Sequence, residues 1–528
     1  MRTMRTMNMK KAISKTQLLL ATVVVAMALL LTAPAYAATP GITGAAFSLT
    51  AQSAFLSQPD GQSVYSWGYG CATGFSPTFA PAAITTGSCS TMQVPGPTLI
   101  VQAPATVTVT LANNLPTAAG NTSILFPGFQ VATSGGVAGL LTQEAEHGGS
   151  VTYTLTIPST AAGTHTYYSG TQGDLQVEMG LYGAIIVLPS TVPSACTSGV
   201  HSNNVAAQSH WSEDNYTLAA AAYNHPGACY DREYIFQFSE IDPRIHRQAE
   251  EQSTRACTTG ISCMNVATEP YVPAYFMING RSMPDDMDPN YAPEYPHQPY
   301  NGNPHMHPGE LVLLRIIGTG RWQHPFHEHG NHVRVLARDG NLILSATNAS
   351  DLAGPLLFTT TTTPGLTMDA IFYWTSKGLN WDAYGHNAAS GSTLPCTADV
   401  NGYNTGAPTA INYFEWCQDH NKPMQAHPFG DVASGGPTTL PDPTIFANGP
   451  WFGGSPYLGP DATVRAVGNT GTTPPSGTVA NPPDSEAGFA FMWHSHNERE
   501  ITTNNVFPGG MLMMMLVDSR EFVIDESN

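Results

Sequence analysis

Charge is scarce in this 528-residue chain. Asp, Glu, Lys and Arg make up 11% of it, less than half of the roughly 25% usual in soluble domains. That excludes a coiled coil, which needs Glu and Lys in quantity. Positive charge is scarcer still, with 19 Lys and Arg against 38 Asp and Glu. Such a balance repels phosphate backbones and excludes a nucleic-acid partner, while it attracts cations, metal ions among them. No C-x-x-C or zinc-ribbon spacing occurs among the eight cysteines. No run of 18 apolar residues exists, so no membrane-spanning helix is expected. No exact internal repeat is found.

What is present begins with an export signal over residues 1–37. Arg2, Arg5, Lys10, Lys11 and Lys15 precede an apolar run from Leu18 to Leu31, and Ala35-Tyr36-Ala37 follows. Basic, apolar and small residues in that order are what a signal peptidase accepts. The mature chain is expected to start near Ala38 and to be periplasmic, cell-surface or extracellular. The eight cysteines fit an oxidising compartment. Eight cysteines allow 105 pairings. Sequential pairing is the simplest, because each consecutive pair lies within one loop-rich segment.

Gly (50) and Pro (42) are abundant, and short β-type runs alternate with turns. TLIVQAPATVTVTLANNL (98–115), SVTYTLTIP (150–158), GTHTYY (163–168) and GLYGAIIVLP (180–189) mark a first β block, 45–190. A polar connector, 191–229, follows. REYIFQF (232–238), ELVLLRIIG (310–318), HVRVLARDG (332–340) and MDAIFYWT (368–375) mark a second block, 230–375. It resumes over 488–520 with GFAFMWHSH and GGMLMMMLVD. Residues 376–487, rich in Gly, Pro, Asn and Thr, read as a loop-rich insertion. The expected fold class is all-β, with two sandwich or barrel domains.

Histidine is unevenly spread. QHPFHEHGNH carries His324, His327, His329 and His332; WHSHNERE carries His494 and His496; PHMHPGE carries His305 and His307. Residues i and i+2 of a strand share a face, so each H-x-H presents two imidazoles side by side. Neutral imidazole suits copper, zinc, iron or nickel. The run of Met511, Met513, Met514 and Met515 and the tyrosines Tyr167, Tyr168 and Tyr182 read as strand core rather than as ligands or radical carriers.

HPFHEHG after PGELVLLRIIGTG, and WHSHNEREITTNNVFPGGMLMMMLV near the end, resemble the multicopper oxidase family of cupredoxin-fold proteins. So do VPGPTLIVQAPATVTVTLANNLP (94–116), GTHTYYSGTQGDLQVEMGLYGAIIV (163–187) and NGRSMP (279–284). The resemblance covers most of 45–375 and 488–518 and is nearest to a two-domain member. It implies two cupredoxin-like Greek-key domains, copper, an oxidoreductase with a small-molecule reductant, and a homo-oligomer, a trimer in two-domain relatives.

The departures are specific. The family's trinuclear site uses four H-x-H pairs. Where the two first-domain pairs belong, this chain has Leu125 with Pro127 and Tyr168 with Gly170. The last-domain pairs remain, His327 with His329 and His494 with His496. Of the family's blue copper ligands only His324 is present. Ser495, Glu500 and Asn505 stand where Cys, His and Met belong. A hydroxyl cannot replace the soft thiolate of that site. The four remaining imidazoles suffice for one copper or zinc ion. A second candidate site joins His324 to Glu500, with Glu328 or Glu498.

Overall fold

The structure is a computed structural model. It describes residues 39–197, 217–257, 262–377, 395–406, 415–418, 454–458, 487–518 and 524. The export signal, much of the connector and most of the insertion lie outside these residues. The described residues form one compact unit. No described helix is long and apolar enough to cross a membrane.

The chain is all-β, as expected, and its four larger sheets come in two pairs. In the first pair, Gly163–Tyr168, Tyr182–Leu188, Leu99–Gln102, Gly41–Thr43 and Thr78–Ala80 form one five-stranded sheet. Ser63–Cys71, Ala46–Ser57, Ala105–Asn113, Ser150–Ile157 and Gln130–Gly135 form the other. The sequence pattern sets the faces. In Ala105–Asn113, Val107, Val109 and Leu111 point inward while the intervening threonines are half-exposed. They join Trp67, Tyr69, Tyr153 and Tyr167 in a core between the two sheets.

In the second pair, one sheet is built on Arg232–Ile241, Leu311–Gly318, Thr367–Tyr373 and Val333–Arg338. The facing sheet runs His305–Met306, Leu512–Asp518, Ala487–Ser495, His324–Glu328, Thr359–Thr362, with Gly454–Leu458 also on Ala487–Ser495. Phe236, Phe238, Phe326, Trp374, Phe491 and Trp493 fill the core between them. Met511, Met513 and Met515 are buried in it. These methionines therefore pack the core, as the sequence suggests.

Arg232–Ile241 is buried along its whole length. One face, Tyr234, Phe236 and Phe238, belongs to the second core. On the other, Ile235 packs with Ile317 against Ile100, Ala184 and Ile186 of the first pair of sheets. Because the strand is covered on both faces, its polar residues Arg232, Glu233, Gln237 and Glu240 are buried along with its apolar ones. The same interface holds a buried polar knot. Thr164 Oγ1 donates to Asp369 Oδ1 at 2.5 Å, and Thr164 N–H donates to Oδ2 at 3.1 Å. Tyr223 donates to Asp369 as well. Arg315 Nη1 donates to Thr164 Oγ1 at 3.1 Å while Arg315 Nε pairs with Glu233 at 2.8 Å.

Four disulfides join Cys71–Cys89, Cys196–Cys229, Cys257–Cys263 and Cys396–Cys417. The pairing is sequential, because each bridge closes a loop local in sequence.

Candidate metal centre

The strand His324–Glu328 lies antiparallel to Ala487–Ser495, with His327 directly opposite His494. Strand alternation sends His327 and His329 to one face, and His494 and His496 to the same face of the neighbouring strand. Four imidazoles therefore meet. Ring centroids lie 4.8 Å apart for His327–His329, 4.9 Å for His327–His496 and 5.1 Å for His329–His494. One ligand nitrogen each from His327, His329 and His494 lies within 4.8 Å of the others. His327 and His494 are buried, His329 is half-buried and His496 is exposed, so the cluster opens to one side.

Neighbouring groups fix the rings. His494 Nδ1 lies 2.7 Å from the Ser495 carbonyl oxygen. A carbonyl only accepts, so Nδ1 carries the proton and Nε2 of the neutral ring carries the lone pair. That Nε2 lies 3.2 Å from His329 Nε2. His327 Nδ1 lies 2.7 Å from Thr359 Oγ1. Trp493 Nε1 donates to the His329 carbonyl at 2.9 Å and holds the chain beyond the strand. Burial, reinforced by His329, His494 and His496, pushes His327 down to about 4. Burial, reinforced by His496, pushes His494 down too. Both are thus neutral at pH 7, the form that binds a metal.

The donor set fits one ion. Zinc–imidazole bonds are about 2.0–2.1 Å, so two tetrahedrally disposed nitrogens lie about 3.3 Å apart. The His329–His494 nitrogen pair, at 3.2 Å, already has that spacing.

His324 goes elsewhere. It points to the opposite face of its strand, with Phe326 and Glu328, and is fully buried. Its Nδ1 lies 2.9 Å from Glu500 Oε2 and its Nε2 2.9 Å from Glu240 Oε2. Burial alone would lower its pKa, but hydrogen bonds to Glu240 and Glu500 overcome burial and hold it at about 9. It is an imidazolium between two carboxylates, with both nitrogens engaged. Ser495 Oγ donates to Glu500 Oε2 at 2.5 Å, and Asn497 Nδ2 donates to Oε1 at 2.8 Å. The backbone N–H groups of Arg321 and Trp322 donate to Glu240 Oε1 at 2.6 and 2.8 Å.

So His324, Ser495 and Glu500 do converge, as the sequence suggests. Asn505 does not join them. It lies exposed with φ 65°, in the turn that the Thr503–Val506 bridge closes. Glu328 is buried behind the cluster, accepts from Thr360 at 2.9 Å, and burial pushes it up to about 8. Glu498 is 79% exposed at its side chain. His305 pairs with Asp518 at 2.6 Å and His307 approaches the Asp518 carbonyl at 3.2 Å. Sequence reasoning misses Glu240 and Thr359. A carboxylate near the end of the β-type run REYIFQFSEI was the available signal, since a buried charge requires a partner.

The first-domain positions also meet one another, without ligands. Leu125 and Tyr168 are bridged through their backbones. The Leu125 side chain fills the space over Gly170, where a Cβ would stand 2.7 Å from Leu125 Cγ. They line a cleft of 510 Å³ with Leu140, Leu141 and Arg321. Neither Leu nor Gly offers a metal a side-chain donor.

The sequence model of a family described as multicopper oxidase matches residues 83–191. No curated protein matches. Among solved structures, the chain is similar to the multicopper oxidase mgLAC, with 15% identity, 89% of this chain and 85% of that one covered, and a TM-score of 0.45. It is similar to a blue copper oxidase from Nitrosomonas europaea, with 14% identity, 89% and 85% covered, and a TM-score of 0.43. It is also similar to a copper nitrite reductase from Nitrosomonas europaea, with 17% identity, 62% and 84% covered, and a TM-score of 0.36. Similarity to the multicopper oxidase family is thus carried by residues 83–191, within a chain whose paired sheets are cupredoxin-like.

Proposed function

We propose that the chain is an exported cupredoxin-type protein that binds one copper ion through His327, His329, His494 and His496. Its two cupredoxin-like domains are 45–190 and 230–375 with 488–520, joined by the connector 191–229 and interrupted by the insertion 376–487. The observation that carries the metal reading is the 3.2 Å approach of two Nε2 atoms in a cluster of neutral imidazoles. Copper, when bound, supplies one-electron redox chemistry toward a small-molecule reductant. His327, His329 and His494 hold it on the buried side, and exposed His496 borders the open side where a reductant approaches. Four-copper reduction of dioxygen is not this protein's reaction. Leu125, Pro127 and Gly170 carry no side-chain donor, and Ser495 supplies no thiolate. The exposed Phe358 beside His327, and exposed Leu140 and Leu141 at the cleft, suit burial between copies, in keeping with a trimer.

Metal analysis of the purified mature protein, followed by copper titration, tests this reading. One tightly bound copper per chain is expected, lost on replacing His329 and His494. Three coppers per chain would overturn it. None, even after copper loading, would make the chain a non-catalytic cupredoxin scaffold at the cell surface.

A further inference from the structure

The two strands that supply the imidazoles are joined by a short ladder. Only Phe326–Ser495, His327–His494 and Glu328–Trp493 face each other. A slip of one residue would turn every histidine to the opposite face, so something must fix this register. Hydrogen bonds on the far side of the sheet do so. A single atom, Glu500 Oε2, accepts from Ser495 Oγ at 2.5 Å on one strand and from His324 Nδ1 at 2.9 Å on the other. Glu240, from a strand of the facing sheet, takes the other nitrogen of His324 at 2.9 Å. The His496 N–H donates to the Pro325 carbonyl at 2.7 Å, extending the tie past the ladder.

We infer that Glu240 and Glu500 are positioning residues that, through His324 and Ser495, hold the two histidine strands in register and aim the imidazoles at one point. The inference rests on the copper reading above. The carboxylates bond to His324 and Ser495 on the face opposite to the cluster imidazoles and act through the strands. Their charges are matched locally: the imidazolium lies between them, the N–H groups of Arg321 and Trp322 cap Glu240, and Asn497 caps Glu500. The Tyr271 hydroxyl also lies 3.2 Å from Glu240, with its one proton shared toward Glu178 at 2.7 Å. A neutral side chain at 240 or 500 would leave the imidazolium with one counter-charge and slacken the tie. Supporting groups of this kind typically set metal affinity by about 10–100-fold.

The test uses the full mature chain and copper(II) alone as probe. Dissociation constants and electron paramagnetic resonance spectra are compared for wild type, Glu500→Ala, Glu500→Gln, Glu240→Gln and the milder Ser495→Ala, with exposed Glu294→Gln as control. Glu500→Ala should bind copper at least about tenfold more weakly with an altered hyperfine pattern. Glu500→Gln and Ser495→Ala should fall between it and wild type. Nitrogen-15 resonances of the His327 and His494 rings in metal-free protein should shift in the same order. The ring shifts keep the inference testable where a variant is unstable or wild type binds no copper. Copper-free wild type sinks the metal reading alone; folded Glu500→Ala and Ser495→Ala with wild-type ring resonances sink the register inference.

Discussion

The Nε2 atoms of His329 and His494 face each other at 3.2 Å across two neighbouring strands. Without a metal, one of the two must donate to the other. With one, both lone pairs can point at the same ion. The expected outcome of His494→Gln is therefore loss of tight copper binding with little loss of fold, since His329 is half-exposed and can be rehydrated. Calorimetric copper titration checks it. Unchanged affinity in both His494→Gln and His329→Gln would remove this pair from the site.

Stability should depend on pH through two histidines of opposite sign. The folded-state pKa of His324 lies at about 9, above the unfolded value near 6.5. Its contribution is complete below the unfolded value and is lost as pH rises through about 9. The size is about 3 kcal/mol. His327 is held at about 4, so its folded form resists protonation. That stability is present above the unfolded value and is lost as pH falls toward 4. Metal-free protein should therefore be most stable near pH ~6.5, where both contributions are close to complete, and should lose stability on either side. In urea unfolding across pH, His324→Gln should flatten only the alkaline limb and His327→Gln only the acid limb. Identical profiles for the two variants would contradict the assignment.

Asp369 joins the two pairs of sheets. It accepts two hydrogen bonds from Thr164 and one from Tyr223, beside the Arg315 guanidinium at 3.8 Å. Replacing it with Ala leaves the Thr164 and Tyr223 donors unpaired in a buried place and takes one of two carboxylates from Arg315, which keeps Glu233. The expected destabilisation is about 3–5 kcal/mol. Denaturant midpoints for Asp369→Ala and Thr164→Val should both fall, the first by more. A double variant no worse than Asp369→Ala alone would show that the two act as one unit.

How far the sequence reveals all this depends on the distance over which each feature is built. The two H-x-H pairs are legible because strand alternation is a local rule: knowing the strand is enough to know the shared face. The disulfides are legible because each closes a short local loop. Glu240 is not legible as a partner of His324. The two meet only because one sheet lies on another, and no spacing encodes that. Asn505, set at the Met position by the family resemblance, lies instead in a turn. The chain turns between Thr503 and Val506 and returns to the sheet at Gly510 and Met511, where the Met511 carbonyl accepts from Ser495 N–H at 2.9 Å.

The eight cysteines should be unreactive toward thiol reagents in denaturant without reductant, since all eight are paired. Four or more titrating thiols per chain would contradict the pairing.

The wild-type protein should show no intense blue colour with copper, because the absorption needs a thiolate on the metal and residue 495 is Ser. The structure narrows what would restore it. His324, Ser495 and Glu500 lie within one hydrogen-bonded group, with Glu500 Oε2 2.9 Å from the His324 ring and 2.5 Å from Ser495 Oγ. Ser495 points away from the imidazole cluster, as alternation requires. Ser495→Cys with Glu500→His therefore places a thiol and an imidazole against His324 Nδ1, while Glu240 still holds Nε2. Two imidazoles and a thiolate are the strong ligands of a blue site; its axial ligand is weak and long. The double variant alone should develop a thiolate-to-copper band on copper titration. Adding Asn505→Met should leave that band unchanged, because position 505 is exposed in a turn. Absorption and electron paramagnetic resonance read both variants side by side. A folded, copper-loaded double variant without the band would mean that these three positions do not enclose a copper-sized pocket. A band that appears only in the triple variant would place residue 505 inside it.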